Sequence, residues 1–444
     1  MKKYFFLIIA SAAVTLGACK KSEDDLNKPL VGLGGDTWTK TPLDNWLYNT
    51  FTKPYNLEVK YRWDGSEVDP SKTLVPPDTA RIRPLMEVVN SGWISPYIAE
   101  KNANFIKLYS PKQYLLVGSV EYNTGGTVKL GEAEGGFRVT LYNVNNFSKA
   151  SRSNVQGVLK TIHHEFTHIL HQTIIYPKDF PLLTGGNYTA DWNNQPLADA
   201  YSYGFITQYS RAAPEEDFAE MTSVMLTLGR GGYEAILKQS GVNVAMIRKK
   251  EAIVVSYFKQ SWGIDFTGLQ TKVQQDLNSY SNPPVFNQIG FGKAFTSITL
   301  SPALVGGQSD KFNTAWDAAK AAILKVSAAS QYTLESINVV FNAANTVQLK
   351  FNFRAAAGSS AGTLYTGTFT YDNVASTSAE TYTLAYNSAD ANGNVIAAAA
   401  KPLTDFFIGA FKTKYFYAAD AKVEFGGLVK ADDATTFTFG TLNL

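Results

Sequence analysis

The sequence predicts an α+β chain in two parts, a mixed sheet with long helices followed by a β-rich region. Three observations lead there. Short runs before residue 150 alternate apolar and polar at period two, as half-buried strands do. From Val155 to Leu170 the apolar residues then recur at helical spacing. Beyond Asn282-Pro283-Pro284 the composition shifts to Ser-, Thr-, Ala- and Gly-rich alternation, which reads as sheet. A chain of 444 residues exceeds one typical core, so two domains are expected, at 36–284 and 285–444. Charges almost balance, at a formal +2, which describes an ordinary globular surface with no nucleic-acid footprint and no acidic tail.

The first residues carry an address. Met1-Lys2-Lys3 and the apolar run Tyr4 to Leu16 read as a secretory signal over 1–18, too short to span a membrane stably. The signal ends in Leu16-Gly17-Ala18-Cys19, which resembles a bacterial lipobox, and that resemblance implies that Cys19 becomes a lipidated N-terminus. Cys19 is the chain's one cysteine, so no disulfide framework exists and no thiolate remains for catalysis or metal binding. Residues 19–35 read as a flexible tether whose acidic start resembles the export signals of surface lipoproteins in Bacteroidetes-like bacteria.

In order, Tyr55 to Trp63 alternates as a strand and Pro70, Pro76 and Pro77 mark a loop. A helix is expected from Arg81 to about Asn90 and, less regularly, on to Glu100. Tyr114 to Tyr122 and Phe137 to Val144 read as strands joined by Gly-rich turns. Ser153 opens the next helix, with Gln156 as its capping-box partner. Residues 177–208 read as an aromatic loop. Pro214 starts a second helix that Gly229 to Gly232 stop. Helices follow at about 233–238, 242–260 and 268–280. The β-rich region opens with a helix from Phe312 to Ser327. Its strands include Val347 to Phe353, Thr363 to Tyr371, Glu380 to Tyr386 and Thr435 to Leu442. It shows no repeat and no chemical constellation.

The helix from Ser153 holds all four histidines of the chain. His164-Glu165-x-x-His168 is an HExxH motif: residues at i and i+4 share a helix face, so both imidazoles can reach one metal ion, and Glu165 can act as general base on its water. Val155, Val158, Leu159, Ile162, Phe166, Ile169 and Leu170 lie on the opposite face, which fits burial on one side and a zinc site on the other. A hydrolytic zinc takes three protein ligands. His171 lies about 10 Å along the axis from His164, too far to share the ion while the helix stays regular. It is left to support a ligand, to face substrate or to pack. No histidine follows Gln172, so the third ligand is expected to be a carboxylate from another helix. Glu216 and Glu220, spaced i, i+4, face one way.

Tyr209 and Glu216-Asp217-Phe218-Ala219-Glu220, downstream of the HExxH, resemble the active-site pattern of the anthrax lethal factor and Pro-Pro endopeptidase group. By that resemblance Tyr209 helps stabilise the oxyanion. Resemblance to thermolysin-like enzymes implies that Glu216 is the ligand and that Glu220 orients a ligand histidine, with the reverse assignment open. Glu215 and Asp217 read as carboxylates that complement the helix dipole. Over about residues 1–280 the layout resembles zinc metallopeptidase lipoproteins found beside TonB-linked nutrient importers in Bacteroidetes. This implies a zincin-like domain, one Zn²⁺, an outer-membrane lipid anchor on the cell surface or periplasmic side, and importer components as partners.

Three functions stand at this point. One is a surface-anchored zinc peptidase acting on extracellular proteins or peptides. Another is a non-catalytic accessory of an importer, binding glycan or protein through the β-rich domain. The last is zinc hydrolysis of a non-peptide amide.

Overall fold

The computed structural model describes residues 38–123, 126–134, 136–280, 285–301, 307–417 and 423–444. The expected signal segment, Cys19, the tether and Asn282-Pro283-Pro284 lie outside the described residues. Residues 47–444 form one compact unit. In the unit before it, Asp44 Oδ2 accepts from the Thr41 amide at 2.7 Å and from the Trp38 indole at 3.2 Å.

The first sheet has the order β1 (Glu58–Lys60), β2 (Gln113–Leu116), β6 (Arg138–Leu141), β5 (Gly131–Glu134). β1, β2 and β6 run parallel; β5 is antiparallel to β6, with Gly131 opposite Leu141 and Ala133 opposite Val139. β1 is far shorter than the run from Tyr55 to Trp63 suggested. Tyr55 instead closes a helical turn that ends on Asn56 at φ 55°, and β1 has a partner along one edge. β5 and the hairpin β3 (Glu121–Tyr122)–β4 (Val128–Lys129) stand where the sequence showed Gly-rich turns. Gly131-Glu132-Ala133-Glu134 has no β-branched or aromatic residue to announce a strand.

Helix α1 (Thr79–Val89) is capped by Asp78, whose side chain accepts from the Ala80 amide. Helix α2 (Arg152–Thr173) carries the histidines and is capped by Ser151, whose hydroxyl accepts from the Asn154 amide. The expected cap at Ser153 is therefore corrected by two residues, and Gln156 donates instead to the Thr227 carbonyl at 2.7 Å. The buried face of α2 presents Val155, Leu159, Ile162 and Phe166. Phe166 meets Trp93 and Tyr97 edge-on, with ring centres 5.1 and 5.0 Å apart. Leu159 lies so near Gly92 that a Cβ there would stand 2.5 Å from its Cδ1.

Helix α3 (Pro214–Leu237) packs along α2. Its Gly229-to-Gly232 run does not end it: Gly229, at φ 67° and ψ 178°, breaks the helical path and the chain resumes as helix. Helices α4 (Val244–Tyr257) and α5 (Phe266–Tyr280) pack behind it. The expected loop at 177–208 includes two short helices, Asp179–Leu182 and Leu197–Tyr203.

The rest is a closed eight-stranded barrel. Its strands are β7 (Ser297–Leu300), β8 (Tyr332–Ala343), β9 (Thr346–Ala355), β10 (Leu364–Ser376), β11 (Thr381–Ala389), β12 (Gly409–Tyr417), β13 (Glu424–Lys430) and β14 (Phe437–Asn443). Each pairs antiparallel with its neighbour in sequence, and β14 returns to β7. Helix α6 (Asp310–Leu324) follows β7 and α7 (Ala391–Phe406) follows β11, so a strand–helix–three-strand order occurs twice. The sequence showed no repeat there. Val347, Leu349, Phe351 and Phe353 on alternate positions of β9 share one core with Phe312 and Trp316 of α6 and Ile396 and Leu403 of α7. An eight-stranded barrel is just wide enough for side chains to fill.

Candidate metal centre

α2 and α3 bring three donor atoms to one point. His164 Nε2 lies 3.0 Å from Glu216 Oε2, His168 Nε2 lies 3.3 Å from the same oxygen, and the two imidazole nitrogens are 3.1 Å apart. With zinc 2.0–2.1 Å from each donor, tetrahedral geometry places donors about 3.3 Å apart. The triangle is of that size.

The outer side of each imidazole is engaged as well. His164 Nδ1 faces Glu220 Oε1 at 3.0 Å, and His168 Nδ1 lies 2.9 Å from His171 Nε2. A proton on each Nδ1 suits these contacts, at His168 as a hydrogen bond and at His164 through the nearby Glu220 charge, and leaves both Nε2 lone pairs facing the Glu216 oxygen. Three lone pairs aimed at one point repel unless a cation lies among them, so this donor set fits zinc. Electrostatics agree. Burial favours neutral His164, but Glu216 and Glu220 on either side outweigh it and raise its pKa to about 9. Burial likewise pushes the Glu216 carboxyl up, yet His164 and His168 hold it well below the ordinary carboxylate range. The pocket favours positive charge.

Glu220 is itself fixed. Lys160 Nζ donates to both of its oxygens at 2.9 Å, and the Thr207 hydroxyl donates to Oε2 at 2.7 Å. Burial raises its pKa, while His164 and Lys160 outweigh that and take it down to about 2. His171 is buried among Tyr176 and Phe218, and burial together with the nearby His168 lowers it to about 4. His163, the fourth histidine, points away from the site. It is fully buried, its Nε2 donates to the Gly92 carbonyl at 3.2 Å, and burial lowers it to about 4.

Glu165 stands on the same face as His164 and His168 and lines the same cleft. Burial raises its pKa, His164 and His168 oppose that, and the Ala133 amide on β5 donates to it. The cleft, of about 600 Å³, is bordered by β4 and β5 along one side and by Trp192, Tyr209 and Glu215 on the other. The Tyr209 ring lies 5.8 Å from that of His164 and nearly parallel to it, and the Trp192 ring meets Tyr209 edge-on at 4.8 Å. Burial and the adjacent Glu216, which accepts from the Tyr209 hydroxyl, raise the phenol well above its ordinary value. Every site residue expected within the described chain therefore meets at this cleft.

One expectation is too narrow. Asp217, in the first turn of α3, does more than complement the helix dipole. It is fully buried, accepting from Lys250 Nζ at 2.6 Å and from the Tyr188 hydroxyl at 2.9 Å. Burial works against both charges, raising Asp217 to about 6 and lowering Lys250. Lys250 also lies 4.0 Å from the centre of the Phe205 ring. Neighbouring positions on a helix point about 100° apart, so this inward anchor turns Glu216 towards α2. No sequence signal separates Asp217 from its exposed neighbour Glu215, because the partner lies on α4. The edge strand β5 is the other element that sequence reasoning missed.

Comparison with known proteins adds the family. No curated protein matches the chain. Among solved structures, the crystal structure of a "putative zinc-binding metallo-peptidase from Bacteroides caccae" is 32% identical, covering 53% of this chain and 92% of that one, with a TM-score of 0.47. A family model described as "Putative zinc-binding metallo-peptidase" matches residues 36–267, over half of the sequence. The chain belongs to that zinc-binding metallo-peptidase family.

Proposed function

We propose that the protein is a zinc peptidase that hydrolyses extracellular proteins or peptides, held at the outer membrane by a lipid on Cys19. The carrying observation is the convergence of His164 Nε2, His168 Nε2 and Glu216 Oε2 beside Glu165. One zinc ion held there would supply Lewis-acid chemistry to the scissile carbonyl and acidify the attacking water.

The chain's own groups do the rest. Glu165 takes the proton of the attacking water and returns it to the leaving amine. Tyr209 donates its hydroxyl to the oxygen on which negative charge develops. Glu220 and His171 hold the two imidazoles in the tautomer that leaves Nε2 free. β5 pairs with β6 along one edge, so its other edge can hold an extended peptide against the cleft. An open strand edge at the donor set favours a peptide over another amide, and an intact Glu165 favours an enzyme over a binding accessory. The anchor and an importer partnership rest on the resemblances of residues 1–280 alone.

Purified protein is expected to contain one zinc per chain by elemental analysis. Glu165→Gln keeps that zinc while peptide cleavage falls about 10²–10⁴-fold. Absence of zinc, or cleavage unchanged by the substitution, refutes the proposal.

A further inference from the structure

Past His168 the metal cleft gives way to a second recess, of about 310 Å³, and Gln172 lines both. The rest of its lining includes Ile169 and Thr173 of α2, and Tyr109, Ser110 and Lys112 at the end of the short helix Ala103–Tyr109. Two of these groups lack the partner their chemistry calls for. Ser110 is 2% exposed, and its hydroxyl has no hydrogen-bond partner among the described residues. Lys112 is the one charged side chain, among the described residues, that lines the recess. Its ammonium donates to the Lys107 carbonyl at 3.0 Å, and no carboxylate among the described residues pairs with it. An ammonium carries three donors, so two remain, and the Gln172 amide adds its own N–H groups. A carboxylate only accepts, and charge-assisted bonds to it are the strong ones. Ammonium, hydroxyl and amide together suit a carboxylate, and Lys112 turns a cation away.

The recess lies where the upstream half of a bound peptide would run. A Cβ on Gly131 would stand 2.2 Å from Thr161 Cγ2, the Ala133 amide donates to Glu165, and a Cβ on Gly136 would stand 3.7 Å from Gln172 Oε1. Strand β5 and helix α2 thus run the same way. A peptide paired antiparallel to the free edge of β5 passes from Gln172 towards Thr161, so its N-terminal side lies on the recess. Gln172 is about 6 Å beyond His168 along the helix axis. Extended chain covers about 3.4 Å per residue, which brings the recess within reach of about the second to fourth residue before the cut.

We infer that this recess is a subsite for an acidic side chain about two to four residues before the cleaved bond. Lys112 is its ion-pair partner and the Ser110 hydroxyl a further donor. The inference rests on the peptidase reading above and names its substrate class: peptides with Asp or Glu upstream of the cut.

The test digests a mixed peptide library with the zinc-loaded protein and reads cleavage sites by mass spectrometry. Matched peptides with Glu or Gln at the selected position then give kcat/KM, and anisotropy measures their binding to the Glu165→Gln protein. The wild type is expected to enrich Asp and Glu before the cut and to favour the Glu peptide about tenfold, less at high salt. Glu165→Gln should bind the Glu peptide more tightly by a similar factor. Lys112 is partly exposed, so replacing it spares the core. Lys112→Met removes both preferences, Lys112→Arg keeps them, and both variants retain the zinc. Ser110→Ala, which leaves the lysine in place, weakens the preferences by a smaller factor. Preferences that are absent from an active wild type, that lie after the cut, or that survive Lys112→Met overturn the subsite alone. A zinc-loaded wild type that cleaves nothing, with no peptide bound by Glu165→Gln, overturns the peptidase reading and the subsite with it.

Discussion

His171 illustrates how far a single residue can be read from spacing. Three residues past His168, it is one turn on along the same face, so it cannot share an ion with His164 yet can touch His168 from behind. The 2.9 Å contact between His168 Nδ1 and His171 Nε2 is that relation. A carboxylate would serve the same purpose with a full charge, as Glu220 does for His164. The imidazole does it neutrally, because burial and His168 lower its pKa. His171→Phe is expected to preserve the packing against Tyr176 and Phe218 while weakening zinc binding about 10–100-fold, measured by chelator competition. Unchanged zinc affinity would leave His171 as a packing residue.

At the scale of elements, the break in α3 shows how a glycine run can bend a helix without ending it. Residues just before such a break lose helical donors for their carbonyls. Three glutamines supply donors here: Gln270 to Met225 at 2.6 Å, Gln274 to Leu226 at 2.7 Å and Gln156 to Thr227 at 2.7 Å. Gln274 also occupies the space beside Gly229, where a Cβ would stand 2.6 Å from its Cδ. Gln156 belongs to α2 and the other two to α5, so the break ties three helices together. Gln274→Leu leaves the buried Leu226 carbonyl without that donor and should cost about 1–3 kcal/mol in denaturant unfolding. A loss below about half a kcal/mol would mean that water replaces the glutamine.

Across the whole molecule, the barrel meets the far ends of both site helices. Arg152, at the start of α2, donates to Asn278 Oδ1 at 2.9 Å; Asn278 donates to the Tyr417 hydroxyl, and Tyr417 donates to Glu424 Oε2 at 3.1 Å. Beyond the break in α3, the space beside Gly231 is taken by Gln288 Oε1 and the Tyr415 hydroxyl. Burial, only partly offset by Tyr417, Arg230 and Arg152, pushes the Glu424 carboxyl up to about 7. A carboxyl raised in the folded state binds its proton more tightly there than in the unfolded chain. Its contribution to stability is therefore complete below about pH 4.5, falls as pH rises, and is lost above about pH 7. Glu424→Gln should match the wild type near pH 4.5 and be more stable at pH 8, by the order of 2 kcal/mol since Glu424 remains partly in contact with solvent. Equal thermal midpoints for the two proteins at pH 8 would refute this assignment.

Much of the site was legible because a helix converts spacing into direction. His164, Glu165 and His168 on one face, the apolar stripe on the other, and Glu216 with Glu220 on a second helix all follow from the rise and turn of an α-helix. The β-rich character of the C-terminal region followed from alternation in the same way. Barrel closure and the repeated strand–helix–three-strand order did not, since both depend on which strand edges find each other. Nor did β5, whose composition lacks strand signals and whose pairing with β6 is a tertiary event. Asp217 became an anchor because α4 brings Lys250 to it. The sequence alone determined the chemistry of the donors and the helices that carry them. Only the tertiary structure decided that the donors meet, which edge faces them and what holds them still, because those contacts join residues far apart in the chain.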